Sequence, residues 1–146
     1  MSPVPDLWLL PDALFDGTHL RTGAALGIAG GQSLRIAEAA TLPLEARVRR
    51  IPGTLTPGLL DLQVNGGGDA LLNNDQSPAA LRTMAAAHRR FGTVGILPTV
   101  ITDAPQVLAR AVEAAIAAKG SQGLLGLHIE GPLDEPREVD GAEAAA

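Results

Sequence analysis

Polar residues recur at every second position of the segment LLDLQVN, residues 59–65. Asp61, Gln63 and Asn65 alternate there with leucine and valine. Because successive side chains of a strand point to opposite faces, this spacing places one carboxylate and two amides in a single row. Such a row either faces water or lines a site in which it hydrogen-bonds a bound water or a polar ligand. The three glycines that follow, 66–68, are typical of a turn with a closely packed backbone.

A second segment, LLGLHIEGP at residues 124–132, has the same alternation. His128 and Glu130 share one face of the expected strand, and Leu127 and Ile129 share the other. A carboxylate oxygen is a suitable ligand for zinc and other divalent ions. The pattern alone leaves two interpretations of Glu130 open, a metal ligand and a glutamate paired with a base. An interior histidine in the position of His128 is more often structural than a ligand.

Strands and helices alternate after about residue 56, and these elements must position the two polar rows. The predicted strands cover residues 59–65, 93–101 and 124–132, and the predicted helices begin at Ser77 and at Thr102 or Asp103. This alternation indicates an α/β fold with a parallel sheet and right-handed crossovers. A sheet with helices on both faces would be apolar on both. The polar rows therefore favour the interior of a parallel barrel, whose catalytic end lies at the carboxyl ends of its strands.

The N-terminal part of the chain has a different pattern. Short apolar runs are separated there by turn residues, including Asp16-Gly17 and Gly30-Gly31. Such runs predict several short strands in a small β unit. We therefore predict two parts, residues 1–55 and residues 56–146, with the β unit in the first and the α/β elements in the second.

Composition excludes several classes of function for the chain of 146 residues. The net charge of −5 and a pI of about 5.0 argue against a nucleic-acid partner, because phosphate binding requires a basic surface. The absence of cysteine excludes disulfides and thiolate metal ligands. The N-terminal sequence MSPVPDLWLL predicts neither a signal peptide nor a membrane span. We expect a cytoplasmic protein with no membrane partner.

Three motifs, PGLLDLQVNGGG (57–68), LPTVITD (97–103) and GLHIEGP (126–132), follow one another at intervals of one strand–helix unit. Together they resemble the N-terminal part of the N-acetylglucosamine-6-phosphate deacetylases, in the metal-dependent amidohydrolase superfamily. The resemblance implies that residues 56–146 form the first three strand–helix units of an incomplete (β/α)8 TIM-type barrel. It also implies that residues 1–55 form part of a small β-sandwich.

The resemblance further implies an enzyme of amino sugar catabolism. Members of the family use a divalent metal ion to hydrolyse N-acetylglucosamine 6-phosphate to glucosamine 6-phosphate and acetate. Glu130 matches the family's carboxylate metal ligand. Gln63 and Asn65 occupy the positions where many amidohydrolases have His-x-His for a second metal, so the resemblance implies one metal ion, zinc, with these amides contacting its water. His128 accompanies the glutamate as a residue that supports the ligand.

The chain departs from the family pattern after Pro136. Ala142 and Glu143 fall at the positions where the family binds substrate, and Glu143 stands in place of a histidine. A carboxylate there would repel a sugar phosphate. The family's two histidine ligands and its catalytic aspartate are expected beyond Ala146, so we expect the 146-residue chain alone to be inactive.

Two other interpretations of the sequence remain open. The first is an amidohydrolase that acts on a different amide. The second is a degenerate, non-catalytic chain that associates with itself, as a homo-oligomer, or with a partner through an open sheet edge.

Overall fold

The computed structural model describes residues 4–131 of the chain. It divides into two compact units, with the boundary between Pro57 and Gly58. Both units contain β-sheet, and helices of regular length occur only in the second among the described residues. Neither of these helices within residues 4–131 has the length and apolarity that a membrane-spanning segment requires.

The first unit is a five-stranded sheet. Its strands are β1 (Leu7–Phe15), β2 (Leu20–Arg21), β3 (Ala24–Ala29), β4 (Gln32–Glu38) and β5 (Val48–Leu55). Strand β1 pairs antiparallel with β2 and β3, and it pairs parallel with β5 on its other edge. The β3–β4 hairpin turns at Gly30 and Gly31, whose positive φ angles of 56° and 77° suit glycine at both positions. The buried apolar residues of the first unit include Trp8, Pro11, Leu14, Ala24 and Ala25.

A side-chain network closes the turn between β1 and β2. The backbone N–H groups of Thr18 and His19 donate to Asp16 Oδ1 at 2.9 and 2.8 Å, and Arg21 Nε donates to Asp16 Oδ2 at 2.8 Å. These bonds, above all that from His19, lower the pKa of Asp16 from 3.8 to about 2. The ionised carboxylate therefore stabilises the folded turn.

Replacing Asp16 with Asn should make the free energy of unfolding less dependent on pH in the acidic range. Because the pKa of Asp16 is lower in the folded state, its stabilisation is present above about pH 4 and is lost as the pH falls from 3.8 towards 2. We expect Asp16→Asn to be less stable than the wild type at pH 7, with most of the difference lost by pH 2 and the rest below that pH. Urea unfolding at several pH values measures it, with Asp75→Asn, an exposed carboxylate of the second unit, as the control. A difference that did not change with pH would contradict this account.

The second unit is built on a three-stranded parallel sheet in the order β10–β9–β6. Its elements are β6 (Leu59–Val64), β7 (Gly66–Gly67), β8 (Ala70–Leu71), α1 (Pro78–Arg89), β9 (Thr93–Ile101), α2 (Pro105–Ala117) and β10 (His128–Glu130). Strands β7 and β8 form a small antiparallel hairpin directly after β6. The α/β fold with parallel strands that the sequence predicts is thus observed in this unit.

Both helices pack on one face of this sheet. The core that they form with it contains Val64, Leu72, Leu81, Met84, Ala85, Ile96, Val100, Ala111, Ala114 and Ala118. Within the described residues Leu60 and Leu62, on the edge strand β6, remain 62% and 60% exposed. The alternation defines a face of β6 but cannot specify which helix covers it.

The start of α1 is as predicted. Ser77 Oγ accepts a hydrogen bond from the N–H of Ala80 at 3.1 Å, and Pro78 is the first helical residue. The prediction for α2 is wrong, because the residue before this helix is Ala104 rather than Thr102 or Asp103. The side chain of Asp103 instead accepts from the N–H of Ala104, its direct neighbour, at 2.7 Å.

The third strand is shorter than the prediction of residues 124–132. Strand β10 comprises His128–Glu130, and only an isolated bridge between Leu124 and Ile96 precedes it. The side chain of Leu125 lies over Gly95, where a Cβ atom would approach it to 2.9 Å. The alternation of side chains is therefore irregular before His128, because the backbone leaves the strand ladder there.

Candidate metal-binding site

Gln63 and Glu130 meet on the face of the sheet opposite the helices. Gln63 Nε2 donates a hydrogen bond to Glu130 Oε2 at 2.8 Å, although the two residues are 67 positions apart in the sequence. They lie on β6 and β10, which flank β9, so their backbones are separated by roughly 10 Å. Both side chains must extend over the central strand to make this contact. One carboxylate oxygen, Oε2, thereby acquires a fixed donor.

The backbone at Glu130 is held from the neighbouring strand. Glu130 pairs in register with Ile101, the last residue of β9. Thr102 Oγ1 then donates to the carbonyl oxygen of Glu130 at 3.3 Å. Gly131 follows with φ of 111°, and a Cβ atom at this position would collide with the side chain of Thr102. A glycine is therefore required directly after the glutamate.

His128 lies on the same face and contacts a buried hydroxyl. Its Nδ1 is 3.3 Å from Oγ1 of Thr99, which pairs with it in register and is fully buried. The direction of this hydrogen bond depends on the tautomer of the ring. The contact fixes the plane of the imidazole two residues from Glu130, which is compatible with a supporting role.

The remaining sequence-predicted residues are in different situations. Asp61 Oδ1 accepts a hydrogen bond from the backbone N–H of Gln63 at 3.2 Å, so Asp61 supports the strand that carries the amide. Asn65 is exposed and directly follows β6. Ala142 and Glu143 lie outside the described residues.

The three glycines after Asn65 allow the β7–β8 hairpin to lie against α1. His88 Nε2, on α1, is 3.0 Å from the carbonyl oxygen of Gly66. A Cβ atom on Gly67 would be 2.8 Å from the same nitrogen, and Gly68 has φ of 62° and packs on Thr83. The sequence predicts a closely packed turn but assigns no site role to His88, whose contact with this loop no local signal indicates.

The described residues fit one ligand of a metal site and not a complete site. Within residues 4–131, no group of three or more His, Asp or Glu side chains is arranged to hold a metal ion. A zinc site normally uses at least three protein ligands. The Glu130 carboxylate, held through one oxygen, can supply one of them.

Comparison with curated proteins gives relatives that are named as deacetylases of N-acetylated amino sugar phosphates. The chain is 46% identical over 86 residues to N-acetylgalactosamine-6-phosphate deacetylase of Shewanella sp. (strain ANA-3), covering 58% of this chain and 22% of that protein. It is 38% identical over 80 residues to N-acetylglucosamine-6-phosphate deacetylase of Haemophilus influenzae, covering 53% of this chain and 21% of that protein. The predicted resemblance is confirmed. No protein-family model matches the chain.

Solved structures agree with these relatives. N-acetylglucosamine-6-phosphate deacetylase from Pasteurella multocida has a TM-score of 0.76 and 28% identity, over 86% of this chain and 34% of that one. A variant of the Mycobacterium smegmatis deacetylase in complex with N-acetyl-D-glucosamine-6-phosphate has a TM-score of 0.73 and 25% identity, over 88% of this chain and 33% of that one. The chain thus spans about a fifth of the curated relatives and a third of the solved deacetylases that it matches.

Single substitutions of Gln63 or Glu130 should disrupt the hydrogen bond between them, and exchanging the two residue types should restore it. Gln63→Glu places two carboxylates at hydrogen-bond distance, and Glu130→Gln leaves two amides in contact. We expect Gln63→Glu to lower the free energy of unfolding by about 1 kcal/mol, and the double variant Gln63→Glu/Glu130→Gln to recover most of it. A urea-unfolding double-mutant cycle measures this coupling. Strictly additive effects would show that the two side chains do not interact in solution.

Gly131→Ala should destabilise the chain more than Gly120→Ala. Both glycines have positive φ angles, 111° and 83°, so both substitutions cost about 1–2 kcal/mol of backbone strain. Only the alanine at 131 also meets Thr102, which adds about 1–3 kcal/mol, because a Cβ atom at 120 has nothing within 4 Å. Urea unfolding compares the two variants. In a Thr102→Ala background the difference should shrink, and equal costs in the wild-type background would contradict the close contact.

Proposed function

We propose that this chain contributes the N-terminal strand–helix units of a deacetylase that hydrolyses N-acetylglucosamine 6-phosphate to glucosamine 6-phosphate and acetate. The observation that carries the proposal is the hydrogen bond between Gln63 and Glu130, made by two of the motifs on which the resemblance rests. The names of the curated relatives and solved structures support the same reaction.

The parallel sheet of the second unit supports a place in a barrel. We assign β6, β9 and β10 to the first three strands of a (β/α)8 barrel, with Glu130 at the carboxyl end of the third. The first unit is assigned to part of a small β-sandwich. A barrel of this kind has about 250 residues, so the activity proposed is that of the complete encoded polypeptide.

In this proposal Glu130 is one ligand of a single divalent metal ion, and the ion proposed is zinc. The metal, when bound, lowers the pKa of a coordinated water to near neutrality. Gln63 orients the carboxylate by donating to Oε2, and His128, held by Thr99, supports the same strand. Asn65, at the end of β6, is assigned to hydrogen-bonding near the metal's water, and Ala142 and Glu143 to the substrate-binding segment.

A second candidate substrate is N-acetylgalactosamine 6-phosphate, which differs from the first in the configuration of its C4 hydroxyl. The higher identity to a relative named for this substrate, 46% against 38% over segments of similar length, favours it. The reaction at the acetamido group is the same for both sugars. The metal-site assignments therefore do not depend on the choice between them.

Acetate release by the complete polypeptide from the two sugar phosphates tests the proposal. We expect turnover of at least one of them, and a loss of about 100-fold or more in kcat/KM for Glu130→Gln, because a ligand carboxylate becomes an amide. Glu113→Gln, an exposed position on α2, is the control and should retain wild-type activity. Absence of acetate release from both sugars would overturn the proposal, and equal activity of the two variants would remove Glu130 from the site. The 146-residue chain alone should be inactive.

A further inference from the structure

We infer that Asn73 is a positioning residue that holds the carboxyl end of β9 beside Glu130. This inference rests on the proposed function, since it concerns how Glu130 is presented to a metal ion. Asn73 lies in the loop between β8 and α1, outside the three motifs that carry the resemblance.

The side-chain amide of Asn73 pairs with both backbone groups of a single residue. Asn73 Oδ1 accepts from the N–H of Ile101 at 3.0 Å, and Nδ2 donates to the carbonyl oxygen of Ile101 at 3.2 Å. Nδ2 also donates to Asp103 Oδ2 at 2.9 Å. These three bonds use both polar atoms of the amide.

This pairing occupies an edge of β9 that β6 leaves open. The register between β6 and β9 ends at Val64 opposite Pro98, three residues before Ile101. Backbone groups at an unpaired edge require other partners. The amide of Asn73 has the same donor and acceptor as a peptide group, so it takes the place of the missing strand at Ile101.

The clamped residue is the direct neighbour of Glu130 in the sheet. Ile101 pairs with Glu130 on its other edge, and the next residue, Thr102, donates to the carbonyl oxygen of Glu130. A displacement of Ile101 would therefore shift the backbone that carries the carboxylate. The 2.8 Å contact of that carboxylate with Gln63 would change with it.

The loop that carries Asn73 is itself fixed at both sides of the residue. Leu72 is fully buried in the core of the second unit. Gln76 Nε2 donates to the carbonyl oxygen of Leu72 at 2.9 Å, and Gln76 Oε1 accepts from Arg110 Nε, on α2, at 3.0 Å. Asn73 is thus presented to Ile101 in a restrained position.

Zinc affinity distinguishes positioning of Glu130 from a general effect on folding. The zinc affinity of the complete polypeptide is measured by competition with a chelator. We expect Asn73→Ala to weaken zinc binding by about 10- to 100-fold, which is the usual effect of removing a residue that orients a metal ligand. We also expect kcat to fall while KM changes little, because Asn73 is not assigned a contact with substrate. The control is Asn74→Ala, an exposed asparagine at the next position, which should leave all three values within about twofold of the wild type.

Amide hydrogen exchange at Ile101 supplies a readout that needs neither metal nor activity. We expect its protection to fall by at least about tenfold in Asn73→Ala and to be retained in Asn74→Ala. Where Asn73→Ala does not fold, Asn73→Asp serves instead, because it keeps the acceptor for Ile101 and places two carboxylates together at Asp103. The double variant Asn73→Asp/Asp103→Asn exchanges the amide and the carboxylate, so that position 103 now supplies the donor and position 73 the acceptor. It should recover part of the zinc affinity.

The outcomes separate this inference from the proposed function. Zinc binding that depends on Glu130 but is equal in Asn73→Ala and Asn74→Ala would overturn the positioning role and leave the proposed function intact. Unchanged exchange at Ile101 in Asn73→Ala would overturn the clamp itself. A wild-type polypeptide that binds no zinc and releases no acetate would overturn both.

Discussion

The parallel register of β9 with its two neighbours is the constraint on which the candidate site depends. Glu130 stands opposite Ile101 on one edge, and β6 pairs with the other edge as far as Val64 and Pro98. This register places Gln63 and Glu130 on one face, close enough for their side chains to meet across β9. A slip of one residue in either pairing would turn one of them towards the helices and separate them.

Side chains from the loops and from α1 support the carboxyl ends of the strands, where the ladder itself stops. Asn73 occupies the open edge at Ile101, and Thr102 binds the carbonyl oxygen of Glu130. His88 holds the glycine hairpin after β6 against α1. Polar side chains thus replace strand partners at the end of the sheet that carries Glu130. Catalytic groups in loops and at strand ends need such support, because the regular ladder does not extend to them.

Glu130 is a carboxylate held by Gln63, and no group of three or more His, Asp or Glu side chains within residues 4–131 is arranged to hold a metal ion. The chain spans about a fifth of the length of its curated relatives, which carry the name of a deacetylase of either N-acetylgalactosamine or N-acetylglucosamine 6-phosphate. Within the described residues the apolar row of Leu60 and Leu62 on β6 is exposed, and an apolar groove of about 390 Å³ lies between α2 and the segment that leads into β10. A zinc ion bound at Glu130, as proposed, would need further ligands beyond the described residues.

The sequence by itself determined the local features, because these depend on residues close together in the chain. Ser77 and Pro78 define the start of α1, and alternation at 61–65 assigns Gln63 to a polar face. Only the tertiary structure decided the contacts between distant segments, among them that of Gln63 with Glu130 and that of Asn73 with Ile101. It also decided that Ala104 precedes α2, since Thr102 binds the strand beside it rather than the helix. A spacing rule specifies a face or a turn, but the partner that a polar side chain finds depends on which strands the fold brings together.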